Sequence, residues 1–241
     1  MSVIAKLVIY RCRNCDSQKI VKNGHNASGN QQYWCKDCGN RGVLEPKRGY
    51  TAAQKEQILS AYYERSSMRG IQRTFGVSRP TLISWLKKDE ASPKLEETLL
   101  PVELEDVLEA DEMWSFVYEK WNKRWRWTVM CRRTRQMIAF VIGDRSEAAC
   151  SKLWELIPPA YQGCQSYTDF WEPDQLVFPE KAHECAGKGS GQTNHMERWY
   201  NTLRQSSVRF VRKTLSFSKS DTMHEIVTRL FIIRHNLSRI A

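Results

Sequence analysis

Apolar positions along this chain recur with a period near two in some stretches and near 3.6 in others. Gln31-Gln32-Tyr33-Trp34 reads as a short strand. From Thr51, which suits an N-cap, the period becomes helical: Ile58, Leu59 and Tyr62 share a face. In Met68–Leu86, Gly76 closes one helix and makes a sharp turn, and Val77 fills the angle behind it. Ser78 caps the next helix, with Pro80 in its first turn, where a missing N–H costs nothing. Leu82, Ile83 and Leu86 point inward from that helix; Arg79, Thr81, Ser84 and Lys88 point outward.

After an acidic stretch with Pro93 and Pro101, the strand period returns. Leu104–Tyr118 predicts a buried strand carrying Asp111, and Trp121–Arg124 a hairpin turn. Trp125–Arg132 and Gln136–Ile142 predict two more strands, joined by a polar turn at Arg133–Arg135. Ser146 caps a helix through Leu156 that stops before Pro158-Pro159. Cys164–Thr168 is a further strand, ending at Asp169. A last helix starts near Thr193. At roughly 100° per residue, its Asn194, Glu197, Asn201 and Arg204 share one face, and Met196, Trp199, Tyr200 and Leu203 the other. This order of strands and helices is that of the ribonuclease-H-like fold, whose first and later strands lie adjacent and parallel. Asp111 and Asp169 are therefore expected to approach each other.

Charge sharpens the picture. The 241 residues carry a formal net charge of +10, which favours a polyanionic partner. Residues 1–88 hold 16 Lys/Arg against 5 Asp/Glu, and residues 198–241 hold 9 against 2. A basic head and tail thus flank an acidic belt and a balanced middle. Arg69, Arg73, Arg79, Thr81, Ser84, Lys87 and Lys88 make the two helices of Met68–Lys88 a DNA-reading helix-turn-helix, with Arg79–Lys88 as recognition helix. An ordinary helical hairpin is the competing reading. No apolar run approaches the roughly 18 residues a membrane span needs. Met1–Tyr10 is too short in apolar residues for a signal peptide. A cytoplasmic, nucleoid-associated protein is expected, with no membrane partner.

In a reducing compartment, paired cysteines are metal candidates. Cys12-x2-Cys15 and Cys35-x2-Cys38 supply four thiolates for tetrahedral Zn2+. Asn23-Gly24-His25-Asn26 lies between them as turn residues. The segment reads as a zinc ribbon too small to fold without its metal. Cys131, Cys150, Cys164 and Cys185 lack paired spacing and read as packing residues. His195 falls off the Glu197 stripe. Glu109 shares Asp111's strand face by alternation, and Glu112 does not.

Asp111 inside an apolar strand is costly unless something offsets its charge. Three acids from separate segments suit Mg2+ or Mn2+, which take hard oxygen ligands and serve in-line displacement at phosphorus. The segments Glu109-Ala110-Asp111-Glu112-Met113-Trp114, Tyr167-Thr168-Asp169-Phe170-Trp171, Met196–Gln205 and Arg212–Ser220 resemble the catalytic region of the insertion sequence 1 family of bacterial transposases. The N-terminal half resembles that family's DNA-binding portion. The resemblance implies an Asp-Asp-Glu transposase that cuts element ends and joins them to target DNA. Asp111, Asp169 and Glu197 match the triad, and Arg204 matches the basic position that follows the Glu on the same helical face.

The expected architecture is an α+β multidomain chain: a zinc ribbon over 1–48, a helix-turn-helix over 50–90 and a linker over 91–103. A ribonuclease-H-like α/β catalytic domain with a mixed sheet follows over 104–241. Its expected partner is double-stranded DNA, both element ends and target, contacted also by Arg212 and Lys213. Joining two ends calls for a homodimer or a higher assembly. The competing function is a non-enzymatic DNA-binding repressor with a degenerate catalytic domain; an intact triad is what such a repressor does not need.

Overall fold

A computed structural model describes residues 9–44, 49–89, 93–168, 177–186 and 189–240. The chain divides into two compact units, residues 1–54 and 55–241.

In the first unit, β1 (Ile20–His25), β2 (Gln31–Cys35) and β3 (Arg41–Gly42) form an antiparallel sheet in that order. The residues expected to turn between the cysteine pairs instead extend β1 to His25. The register shifts between Lys22 and His25, where Gly24 takes φ 68°. The reversal itself falls at Asn26–Gly29, where the Asn26 side chain accepts from the N–H groups of Ser28 and Asn30. Thr51 and Gln54 cap each other's backbone N–H reciprocally at the start of α1 (Ala52–Tyr63).

The second unit contains α1 from Lys55, α2 (Met68–Phe75) and α3 (Arg79–Asp89). Ser67 caps α2 through the Gly70 N–H, and Gly76 ends it at φ 69°, a left-handed conformation that costs glycine nothing. The Ser78 hydroxyl accepts from the Thr81 N–H at the start of α3, and Val77 is fully buried at the bend. Of the three residues expected to face inward, Leu82 and Leu86 are buried, while Ile83 is half-buried. The segment before the sheet is docked. Gln136 Nε2 donates to the Thr98 carbonyl at 2.7 Å, and Asn236 Nδ2 donates to the Thr98 hydroxyl at 3.0 Å.

Five strands follow: β4 (Val107–Phe116), β5 (Lys123–Cys131), β6 (Met137–Gly143), β7 (Gln165–Thr168) and β8 (His183–Cys185). Their order in the sheet is β6-β5-β4-β7-β8. The β4–β5 and β5–β6 pairs are antiparallel, and the β4–β7 and β7–β8 pairs are parallel, so the sheet is mixed. The β4–β7 ladder runs through Leu108↔Ser166 to Glu109↔Tyr167. Helix α4 (Glu147–Leu156), capped by Ser146, covers one face: Leu108, Ala110, Val129 and Cys131 join its Ala149, Cys150 and Leu153 in one apolar cluster. Helices α5 (Asn194–Ser206) and α6 (Asp221–Leu237) cover the other. There Met113, Met130 and Met137 join Met196, Trp199, Leu203, Ile226 and Leu230, and α1–α3 contribute Ile58, Leu59, Ile71, Val77, Leu82 and Leu86 to the same cluster. The layers are helix, sheet, helix.

Candidate functional site

Along β4, side chains alternate between the two faces. Glu109, Asp111, Met113 and Ser115 therefore look toward α5 and α6. Met113 enters the cluster on that side, and the Ser115 hydroxyl meets His224 Nε2 at 3.0 Å. Asp111 is half-buried, and one of its carboxylate oxygens accepts the Glu112 N–H at 2.7 Å. Glu112 sits on the other face and pairs with Arg145, whose guanidinium also stacks over Trp125.

Helix α5 is amphipathic as its spacing predicts. Met196, Trp199, Tyr200 and Leu203 are buried, and Glu197 and Asn201 are exposed. Two tethers seat it on β4. The buried Tyr200 hydroxyl donates to the Asp111 carbonyl at 2.7 Å and meets the Thr128 hydroxyl at 2.6 Å. Burial, aided by the nearby Asp111 charge, raises the Tyr200 phenol well above its ordinary range, so it stays a neutral donor. At the helix start, the Glu109 carboxylate accepts the N–H groups of His195 and Met196 at 3.2 and 3.4 Å. Arg204, one turn beyond Tyr200, is half-buried. Burial lowers its pKa, the Arg212 charge adds to that, and Tyr200 and Asp111 oppose it.

The structure thus brings Asp111 and Arg204 within electrostatic reach of each other. It leaves Glu197 exposed on α5, three residues before the tethering Tyr200. Asp169, two residues after Tyr167 in the sequence, lies outside the described residues. Arg69, Arg73, Arg79, Ser84, Lys87 and Lys88 are exposed on α2 and α3, with Thr81 half-buried between them; Arg212 and Lys213 are exposed after α5. Two participants go beyond the sequence reading, which puts Glu109 on this face without its partners and does not single out Arg126. Glu109 is fully buried and carries a structural bond network that alternation alone does not reveal. Arg126 is also fully buried on this face: its Nη2 donates to Thr228 at 3.1 Å, and its guanidinium lies 4.0 Å from the Phe210 ring centre. The strand pattern placed it, but nothing in the spacing marked it as inward.

In the first unit, the sulfurs of Cys12, Cys15, Cys35 and Cys38 all lie within 4.8 Å of one another. The Cys12–Cys38 and Cys15–Cys35 separations are both 3.6 Å. A tetrahedral site with metal–sulfur bonds of about 2.3 Å has sulfur–sulfur edges of roughly 3.8 Å, so the quartet can hold one ion. Each pair reverses at a left-handed residue: Asp16 at φ 57° donates its N–H to the Cys12 carbonyl, and Gly39 at φ 73° donates to that of Cys35. The N–H groups of Asn14 and Cys15 pull the Cys12 thiol down, toward the thiolate a metal needs, while the neighbouring sulfurs and burial push Cys15 up, so without an ion the four thiols do not all ionise together. Among the described residues, no helix is long and apolar enough to cross a membrane.

Residues 106–238 match the family model described as IS1 transposase. The chain is similar to the insertion element iso-IS1n protein InsB of Shigella dysenteriae. They are 33% identical over 129 residues, 54% of this chain and 95% of that one. It is also similar to the insertion element IS1 4 protein InsB of Escherichia coli (strain K12), 32% identical over 53% of this chain and 74% of the relative. A third relative, the insertion element IS1 protein InsB of Shigella flexneri, is 33% identical over 53% of this chain and 95% of its own length.

Proposed function

Because the chain belongs to the IS1 transposase family, we propose that it binds the terminal inverted repeats of an insertion element, cuts them and joins them to target DNA. The observation that carries this reading is the seating of α5 on β4, which fastens the helix of Glu197 and Arg204 to the strand of Asp111. In this reading the mixed sheet with helices on both faces is a ribonuclease-H-like domain. Asp111, Asp169 and Glu197 are its acids. Their oxygen donors, two of them solvent-accessible on the same side of the sheet, fit Mg2+ or Mn2+. Such ions, when bound, help deprotonate the attacking oxygen and neutralise charge on the leaving one.

The chain's own residues do the remainder. In cleavage, a water oxygen forms a bond to phosphorus as the bond to the 3′-oxygen breaks, and that oxygen takes a proton. In joining, the freed 3′-oxygen attacks a target phosphate and the target's own 3′-oxygen departs. Arg204 is positioned to offer positive charge to the phosphate under attack, and Arg212 and Lys213 to hold neighbouring phosphates. The α2–turn–α3 segment is read as a helix-turn-helix, with α3 entering the major groove. The exposure of Arg69, Arg73, Arg79, Ser84, Lys87 and Lys88 supports this. The cysteine quartet is read as a Zn2+ ribbon. Two element ends must be held at once, so the active species is a homodimer or higher assembly.

Replacing Asp111 by Asn keeps the side chain's size and removes its charge. Cleavage and joining of labelled element ends should then fall by about 10³-fold or more, the scale of losing a group that stabilises the transition state. End binding in a mobility-shift assay should persist. Asp169→Asn should behave alike. Retention of full cleavage by either variant would remove that residue from the triad.

A further inference from the structure

Glu109 is 0% exposed, yet its two carboxylate oxygens take four donors from two distant parts of the chain, the residue after β5 and the start of α5. One oxygen accepts Arg132 Nε at 2.7 Å and His195 Nδ1 at 2.6 Å. The other accepts the backbone N–H groups of His195 and Met196. Arg132 goes further. Its Nη2 donates to the carbonyl and the side-chain oxygen of Gln192 at 2.7 and 2.8 Å, and its guanidinium lies 5.0 Å from the Tyr167 ring centre.

The sequence positions of these contacts are what matter. Glu109 precedes Asp111 by two on β4 and shares its face. His195 precedes Glu197 by two on α5. Tyr167 precedes Asp169 by two, on the strand that pairs Glu109↔Tyr167 with β4. One buried carboxylate therefore touches, directly or through Arg132, each of the three segments that carry an acid, always two residues upstream of it.

Helix stability alone does not call for this arrangement. A Ser, Thr or Asn at the N-cap supplies the same service locally and without burying a charge. Thr193 stands at that position and makes no side-chain cap bond. Capping by a local residue secures a helix to itself, whereas capping by a strand residue secures the helix to the sheet. The favourable contact of a carboxylate with the positive end of α5 is used here to fix where α5 begins relative to β4.

We propose that Glu109 is a positioning residue: it holds α5, which carries Glu197, in register against β4, which carries Asp111, so that these two carboxylates converge on divalent metal. The proposal rests on the reading of Asp111, Asp169 and Glu197 as the triad. It predicts a loss of metal affinity from a residue that itself has no free oxygen to ligate with.

The test uses the full zinc-loaded chain and Mn2+ alone as probe, titrated by calorimetry without DNA, with thermal melting and end binding in parallel. Glu109→Gln keeps shape but sets an NH2 group against donors. It should bind Mn2+ roughly 10- to 100-fold more weakly than the parent, the usual cost of losing a residue that orients ligands, while end binding stays. Cleavage should require correspondingly more Mn2+ for half-saturation and recover in part at high Mn2+. His195→Leu, at a position whose side chain is 31% exposed, should shift the same two readings in the same direction. His195→Asn, which restores an N–H donor, should recover much of the loss. If Glu109→Gln does not fold, the His195 pair carries the test. Parental Mn2+ affinity in Glu109→Gln and His195→Leu, alongside weakened affinity in Asp111→Asn, would overturn the proposal and leave the triad standing. Parental affinity and cleavage in Asp111→Asn would instead overturn the triad, and the proposal with it.

Discussion

His224 is 1% exposed on α6, between two hydroxyls: Nε2 meets Ser115 at 3.0 Å and Nδ1 meets Ser218 at 2.7 Å. Burial, and then the charges of Arg126, Arg209 and Arg124, drive its pKa down to about 2. Burial also lowers His183 and His235. The unfolded chain takes up protons at these sites below about pH 6.5, whereas folded His224 stays neutral down to about pH 2 and folded His183 and His235 take theirs up at lower pH than when unfolded. Stability is therefore whole above that pH and is lost as pH falls. His224 alone removes up to about 1.4 kcal/mol per unit below it. The stability that Asp106 gains from bonding to Arg133, which lowers its carboxyl, is present above the ordinary carboxylate pKa and is lost only in the more acidic range below it. A thermal midpoint that drops between pH 7.5 and 5.5, with part of the slope removed in His224→Gln, is the expected result. An unchanged slope in that variant would assign the effect elsewhere.

At the scale of elements, the seat of α5 gives a sharper expectation. Tyr200→Phe removes a hydroxyl that serves both the Asp111 carbonyl and the Thr128 side chain. Leaving buried groups short of partners should cost about 1–2 kcal/mol in denaturant melts, with little change in helix content. Adding Thr128→Val takes away one of the stranded groups and should restore part of the loss; a purely additive double variant would count against the coupling. The periodic stretches were legible beforehand. Thr51, Ser78 and Ser146 cap where their side chains suggested, and the stripes of α5 fall as counted. Helix α6 lies within the stretch that reads as a basic tail, although Ser220 caps it and Ile226, Val227, Leu230 and Ile233 recur at helical spacing; the charges interspersed with them obscure a buried face. Strand β8 is three residues long, too short to show a period. Glu109 was assigned the right face but not its role, because its partner His195 lies 86 residues away. Local pattern reports which way a side chain points and is silent about what arrives to meet it.

The two units of the molecule are held by different physics, and that difference can be measured. In residues 55–241, two apolar clusters sandwich the sheet. In the first unit, the only buried residues among those described over 9–44 are Cys12 and Cys35, both members of the quartet. A segment of this size whose described residues hold no apolar core cannot offset the entropy of ordering its chain through burial alone. If the quartet holds Zn2+ as proposed, the free energy comes from that ion, which in small Zn2+ domains supplies about 10–16 kcal/mol. Stripping the metal with a strong chelator should therefore expose the backbone amides of β1 and β2 to hydrogen exchange, while those of β4, β5 and β6 keep their protection. Cys35→Ser should do the same without chelator, since it removes one ligand and one of the two buried side chains together. Persistent protection of β1 and β2 in the metal-free chain would mean that the ribbon has a source of stability other than its four cysteines. If the unit also helps grip element ends, chelation should weaken end binding by the share the ribbon contributes. The remaining affinity should then respond to charge loss at Arg79 and Lys88, both on α3, in the unit that chelation should leave folded.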